Sequence, residues 1–335
     1  AESGGPGAIW LNLLLKHSQP SFRFCAAACE ESRDSQHLQT KITQEERSLR
    51  MLIIGEKLSI IAKRVREAMM KKDKAPIQEI ATRQWKEGAG IIDANIGPAE
   101  DGGEELMQWM VTTIQEVVPL PVCLDTTNAS AIEAGLKIHN NQWGRPLINS
   151  TSNDPERFPI LELGAKYQAL VIGLTVGKGG LPADAEERAA IAADIMGRAM
   201  EYGVPLEDLY LDPLVLQIAT SQDHAVKVID AIRMFQEMND PPMKTVVGLS
   251  NISNGCPKHV RPILNKYYFL MLMNAGLTSA IADAREMAEA LEEKKLFDDV
   301  LAGKEIADKA KMTEIKKTID VIMGNTLYAH SYLEM

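Results

Sequence analysis

The chain alternates short apolar runs with longer stretches in which apolar residues recur every three or four positions. Runs of four to eight aliphatic residues bounded by polar ones read as strands buried on both faces, as in parallel sheets. Eight such strands are predicted, at roughly 51–57, 90–96, 121–126, 145–151, 169–176, 208–213, 244–250 and 279–284. A helical pattern follows each. Ile77 to Glu87 and Glu104 to Val118 carry apolar residues at i, i+3 and i+4 spacing. Asp184 is placed to cap a helix running from Glu186 toward Tyr202, with Gly203 at its end. Asp223 before His224 reads as another N-cap, and Gly276 as the end of the helix from Arg261 onward.

Eight βα units from Met51 onward predict an α/β fold, a closed (β/α)8 TIM barrel, whose usual length is about 250 residues. A doubly wound open sheet would call for a Gly-rich phosphate loop after an early strand. Here Gly55 is followed by Glu-Lys-Leu-Ser and Gly97 by Pro. The stretch from Arg285 to Lys317 is heavily charged and reads as an elaborated eighth helix before a last helix from Thr318 to His330. Residues 1–50 lack a sustained period and are read as an appendage, leaving 51–335 as the barrel domain.

Six of the apolar runs end in a lone acid or amide: Asp93, Asp125, Asn149, Asp212, Asn251 and Asp283. Because barrel active sites sit at the C-terminal strand ends, these six predict one site lined for hydrogen bonding rather than for metal or phosphate. For any one of them, the alternative is a cap on the helix that follows. Asp93, Asp125 and Asp212 could serve as acids or bases if burial raised their pKa values, or could hold a ligand that presents N–H donors. Asn149 and Asn251 favour the second use, since an amide both donates and accepts. The segments Asp125-Thr126-Thr127-Asn128 and Asn149-Ser150-Thr151-Ser152-Asn153 add further short polar groups suited to a flat heterocycle.

Composition narrows the partners. A formal charge of −10 argues against nucleic acid or anionic lipid. Four scattered cysteines make no disulfide framework, and Cys25 with Cys29 lacks a second pair to complete a zinc site. A reducing, cytoplasmic setting is expected. No apolar run reaches the ~20 residues needed to cross a bilayer. There is no HExxH, no CxxC and no GxSxG, so a protein-bound metal and a serine nucleophile are not expected. Lys178 and His259 lie in loops after the fifth and seventh strands, where a solvated role outweighs a catalytic one. Arg261 opens a helix at a position where it could meet a carboxylate tail.

The motifs Met51-Leu52-Ile53-Ile54-Gly55-Glu56, Asp93-Ala94-Asn95-Ile96-Gly97-Pro98, Cys123-Leu124-Asp125-Thr126-Thr127-Asn128, Leu147-Ile148-Asn149-Ser150-Thr151, Leu209-Tyr210-Leu211-Asp212-Pro213-Leu214 and Gly248-Leu249-Ser250-Asn251-Ile252-Ser253 occur in this order. With them the chain resembles the methyltetrahydrofolate:corrinoid/iron–sulfur protein methyltransferases of the pterin-binding barrel superfamily. The resemblance runs from Met51 to about Ala284. It implies a homodimeric barrel that moves a methyl group between N5 of 5-methyltetrahydrofolate and Co(I) of a cobalamin-type corrinoid on a separate protein, as in the acetyl-CoA (Wood–Ljungdahl) pathway or a related demethylation system. It further implies that Asp125, Asn149 and Asp212 hydrogen-bond the pterin, with Asp93 among the folate-binding candidates. Asn251 would sit beside the N5-methyl as the catalytic residue. Asn254 stands where the family commonly has Gln, and Arg261 corresponds to an Arg near the folate. No DxHxxG-type cobalamin signature occurs in the chain. Dihydropteroate synthase is the alternative within the superfamily, but Glu56-Lys57-Leu58-Ser59 replaces its Asn-Val-Thr-Pro-like segment. A folate-binding barrel without turnover is the non-enzymatic alternative.

Overall fold

The structure is a computed structural model that describes residues 51–334. The expectations for residues 1–50, including the Cys25–Cys29 pair, lie outside the described residues. Eight parallel strands close into one barrel in sequence order. They are β1 (Leu52–Ser59), β2 (Ile91–Asn95), β3 (Val122–Asp125), β4 (Leu147–Asn153), β5 (Leu170–Gly177), β6 (Leu209–Asp212), β7 (Lys244–Gly248) and β8 (Ser279–Ala282). Each falls within the predicted range or a residue or two from it.

The two faces of every strand are used differently. Ile54, Ile91, Cys123, Leu147, Ile172, Tyr210 and Val246 pack together inside the barrel. Their alternating neighbours, such as Ile53, Ile92, Leu124, Ile148, Val171 and Leu211, join the larger shell between strands and helices. Burial on both faces explains why these segments read as continuous apolar runs.

The helices mostly follow expectation. Asp184 caps the helix Ala185–Glu201 by accepting from Glu187 N at 2.8 Å. Gly276 ends the helix Arg261–Ala275 in the left-handed region, at φ 108°. Two expectations are corrected. Asp223 is the first residue of the helix Asp223–Glu237 rather than its cap, and its carboxylate pairs with Lys227 one turn on. Beyond β8 there are three helices, Ala284–Glu292, Lys294–Leu301 and Lys309–Ile322. The last starts nine residues earlier than Thr318 because Asp308 caps it, accepting from Lys311 N at 2.9 Å.

Candidate active site

Strand register assembles the polar residues. Asn95 pairs with Asp125 and Asp125 with Asn149 across β2, β3 and β4, so the three side chains share one level at the C-terminal mouth. Asp93 lies two residues earlier on the same face of β2, one layer deeper, level with Cys123 and Leu147 of the interior. On the other side, Asp212 ends β6 opposite Leu174 of β5. The mouth is thus an arc of acids and amides with an apolar wall.

A bulge brings β1 into the same arc. Gly55 pairs with Ile92, but Leu58 pairs with Ala94, which leaves one extra residue in β1. Ile54 belongs to the interior and Leu58 to the outer shell, so Glu56 and Lys57 both fall at the mouth. The Lys57 N–H freed by the bulge donates to Gln84 Oε1 at 2.9 Å. That amide lies so close to the strand that a Cβ on Gly55 would meet Gln84 Oε1 at 2.6 Å. Glu56 accepts from the Ser250 hydroxyl at 2.7 Å, and Lys57 pairs with Asp283 at 2.8 Å.

The carboxyls are held out of water, which raises their proton affinity. Burial pushes Asp125 up to about 6, against a hydrogen bond from the Asn95 amide that favours its ionised form. Burial likewise pushes Asp212 up to about 7, opposed by the Leu214 N–H donating at 2.8 Å. Asp93 is raised well above the usual carboxylate range, by burial first and by the neighbouring Asp125 charge second. Burial also raises Glu56, with the Ser250 hydroxyl opposing. One oxygen of Asp93, Oδ1, is buried without a hydrogen-bond partner. A buried unpaired acceptor is a costly feature unless a ligand completes it. Among the described residues no group of three or more His, Cys, Asp or Glu side chains is placed to hold a metal ion. No described helix is long and apolar enough to cross a membrane.

The remaining candidates separate. Asn251 lies in the short 3-10 helix Leu249–Ser253 after β7, exposed, with its Oδ1 accepting from Asn254 Nδ2 at 3.2 Å. Arg261 is exposed at the start of its helix, and its Nε donates to Cys256 O at 2.8 Å within its own loop. Asp283 caps the helix Ala284–Glu292, accepting from Arg285 N and Glu286 N, so for this residue the capping role holds. Lys178 and His259 are exposed.

Several residues of the mouth were not singled out from the sequence. Asn95 stands two positions after Asp93, and the period of a strand places both on one face. Arg157 donates to Thr127 O at 2.6 Å and Ser150 O at 2.5 Å, tying the loops after β3 and β4 together. Arg188, fully buried, donates to Pro213 O at 2.7 Å, the carbonyl directly after Asp212, and contacts His224 Nδ1 at 3.0 Å. No local sequence signal marks either arginine, because the contacts that tie them to the mouth, Thr127 O for Arg157 and Pro213 O for Arg188, lie 30 and 25 positions away.

Comparison with known proteins agrees with this geometry. The family described as "Pterin binding enzyme" matches residues 62–283, and the chain belongs to that family. It is 27% identical over 248 residues to a methylcorrinoid:tetrahydrofolate methyltransferase of Eubacterium limosum, covering 72% of this chain and 89% of that one. It is 31% identical over 249 residues to a methionine synthase of Mycobacterium leprae (strain TN), and spans only 20% of that protein's length. A methionine synthase of Mycobacterium tuberculosis is likewise 31% identical over 252 residues, with 21% of its length spanned. Among solved structures, a dihydropteroate synthase from Thermus thermophilus superposes with a TM-score of 0.52 at 20% identity, over 74% of this chain and 94% of that one. That likeness concerns the barrel fold alone.

Proposed function

We propose that this chain is a methyltransferase that moves a methyl group between N5 of 5-methyltetrahydrofolate and the cobalt of a corrinoid carried by a separate protein. The observation that carries the reading is the level formed by Asn95, Asp125 and Asn149 on three adjacent strands, with the unpartnered Asp93 oxygen beneath it. A pterin ring presents amino and amide N–H groups along one edge. Buried carboxylates and amides in this arrangement supply the matching acceptors, and desolvation strengthens each contact. The named activity of the Eubacterium limosum relative supports the folate–corrinoid exchange and the corrinoid partner.

In this reading Asp125, Asn149 and Asp212 hold the ring, and Asp93 accepts from the deeper part of its polar edge. Asn254 and Arg261 are proposed on the folate side, nearer solvent. Asn251 is the catalytic group. A tertiary amine leaves poorly unless its nitrogen gains a proton or a strong hydrogen bond, and an amide contact that strengthens as charge develops lowers the barrier selectively. The corrinoid supplies the nucleophile when bound, so the barrel needs none of its own. A cytoplasmic homodimer acting on a corrinoid/iron–sulfur protein completes the proposal.

An anaerobic absorbance assay with free cob(I)alamin tests it. Consumption of cob(I)alamin that depends on both the protein and 5-methyltetrahydrofolate is expected. Tight folate binding without transfer would leave a binding barrel, and absence of folate binding would overturn the pterin reading itself.

A further inference from the structure

Asn251 is exposed, and its position is set by what holds its loop on either side. Before it, Ser250 is fastened to Glu56 at 2.7 Å. After it, Asn254 N donates to Asn251 O at 3.2 Å and Cys256 N to Ser253 O at 3.0 Å, so the backbone leads through two short turns to Cys256. Cys256 is 2% exposed although Asn254 and Gly255 before it are exposed.

Two tyrosines among the last described residues, Tyr328 and Tyr332, lie beside Cys256. Tyr328 and Leu333 pack on the same apolar cluster as Cys256, and Tyr332 is buried within it. The Tyr328 hydroxyl lies beside the Cys256 thiol and meets His330 Nδ1 at 3.3 Å. The Tyr328 ring lies 6.0 Å from that of Tyr332, whose hydroxyl meets Thr318 Oγ1 at 3.0 Å. Lys317 Nζ donates to Leu333 O at 2.9 Å.

Gln222 fastens this segment to the barrel rim. Its amide donates to Val321 O and Thr326 O, both at 2.7 Å, and its carbonyl accepts from Tyr328 N at 2.9 Å. Gln222 occupies the N-cap position of the helix Asp223–Glu237, yet its side chain does not cap that helix. Its side-chain hydrogen bonds go instead to backbone about a hundred residues away.

We propose that residues 326–333 form a strap that holds the Asn251 loop in its working position, with Gln222 and Tyr328 as positioning residues. The hydrogen bonds of Asn95, Asp125 and Asp212 all lie within the barrel mouth, so releasing the strap leaves the ring-binding arc in place and frees only the loop. The consequence for turnover rests on the methyl-transfer reading; the consequence for the loop does not.

The test uses the full chain with Cys25→Ser and Cys29→Ser, so that Cys123 and Cys256 are the remaining thiols. Gln222→Met removes the three hydrogen bonds at similar volume, and Tyr328→Phe removes only the hydroxyl. Alkylation by iodoacetamide, followed by mass spectrometry, is expected to speed up at Cys256 by about tenfold in Gln222→Met, through local opening. Cys123, inside the barrel, should label no faster. In the same variant kcat for methyl transfer to cob(I)alamin should fall about tenfold, since small misplacement of a reacting group has effects of this size or larger, while KM for the folate, which meets this loop only through Asn254 and the neighbouring Arg261, should rise by less. Tyr328→Phe should give smaller changes in the same direction. Unchanged Cys256 labelling in Gln222→Met would overturn the strap, as would faster labelling with unchanged kcat, or equal losses in kcat and folate affinity. If the parent protein transfers no methyl group, the functional reading fails while the labelling result still decides the strap.

Discussion

The side-chain amide of Asn95 donates to the carboxylate of Asp125 across the β2–β3 boundary, and it is the contact that opposes the rise of this buried acid to about 6. An ionised carboxylate accepts from a ligand's N–H groups about twice as strongly as a protonated one, which keeps only its carbonyl oxygen as an acceptor. Folate affinity is therefore expected to weaken as pH falls through the region of about 6 to 7 set by Asp125 and Asp212. Asn95→Ala removes a hydrogen bond to the ionised form, so the Asp125 midpoint moves upward and the loss of affinity begins at higher pH. Titration calorimetry from about pH 5.5 to 8.5, a range spanning both midpoints, measures the shift. A midpoint that does not move would show that Asp125 does not govern binding.

Asp212 makes the opposite demand on stability. Its folded pKa, about 7, lies above the ordinary 3.8 of an unfolded aspartate. The folded state therefore binds the proton more tightly, and stability is fully present below the unfolded value and lost as pH rises through 7. A shift of this size corresponds to on the order of 4 kcal/mol as an upper figure. Asp212→Asn keeps an acceptor for the Leu214 N–H and removes the titration. The ligand-free variant should be more stable than the parent at about pH 8 and nearly equal at about pH 4, while binding the folate more weakly. Urea unfolding at the two pH values checks this, and a parent more stable than its variant on the alkaline side would contradict it.

The two kinds of residue in the mouth should also separate kinetically. Asp125 belongs to the rigid arc of strand ends, whereas Asn251 sits on the loop after β7. Asp125→Ala is expected to impair folate binding itself. Asn251→Ala should reduce turnover by about 100- to 1000-fold, the usual effect of losing one preorganised contact to developing charge, with folate affinity changed little. Equal losses of affinity in both variants would refute the division of roles.

The barrel was legible because parallel strands are buried on both faces, so β3 and β6 stand out as Val122-Cys123-Leu124 and Leu209-Tyr210-Leu211 ahead of their acids. The mouth was legible only in part. Asp125 and Asp212 end their strands as read and Asn149 lies level with Asp125, while Asp283 caps a helix and Asn95 is hidden between Asp93 and a glycine turn. The Glu56–Ser250 contact joins residues 194 positions apart, and nothing in either local segment announces it. The region after β8 was misdivided for a different reason. Its lysines and glutamates suit a helix at almost any register, so the boundary depends on the single cap Asp308, which composition does not distinguish from its charged neighbours.

The opposite end of the barrel offers a control in which stability and function should come apart. Arg145, just before β4, grips Asp208, just before β6, through its two terminal guanidinium nitrogens, Nη1 at 2.6 Å. The Asp208 side chain is 7% exposed and that of Arg145 45%. Water therefore reaches the arginine but not the acid, and solvent screens the pair in part. Arg145→Ala strands a buried carboxylate, for which about 1–3 kcal/mol of destabilisation is expected. Conserving volume without charge, as in Arg145→Met, leaves the same acid unpaired and should be comparably destabilising. Each strand carries a site residue further along, Asn149 within β4 and Asp212 at the end of β6, but inward-packed Leu147 and Tyr210 lie between and transmit little. Folate affinity and turnover, measured well below the unfolding temperature, should match those of the parent. A loss of affinity in proportion to the loss of stability would show that the mouth is not preorganised by the barrel but depends on its floor.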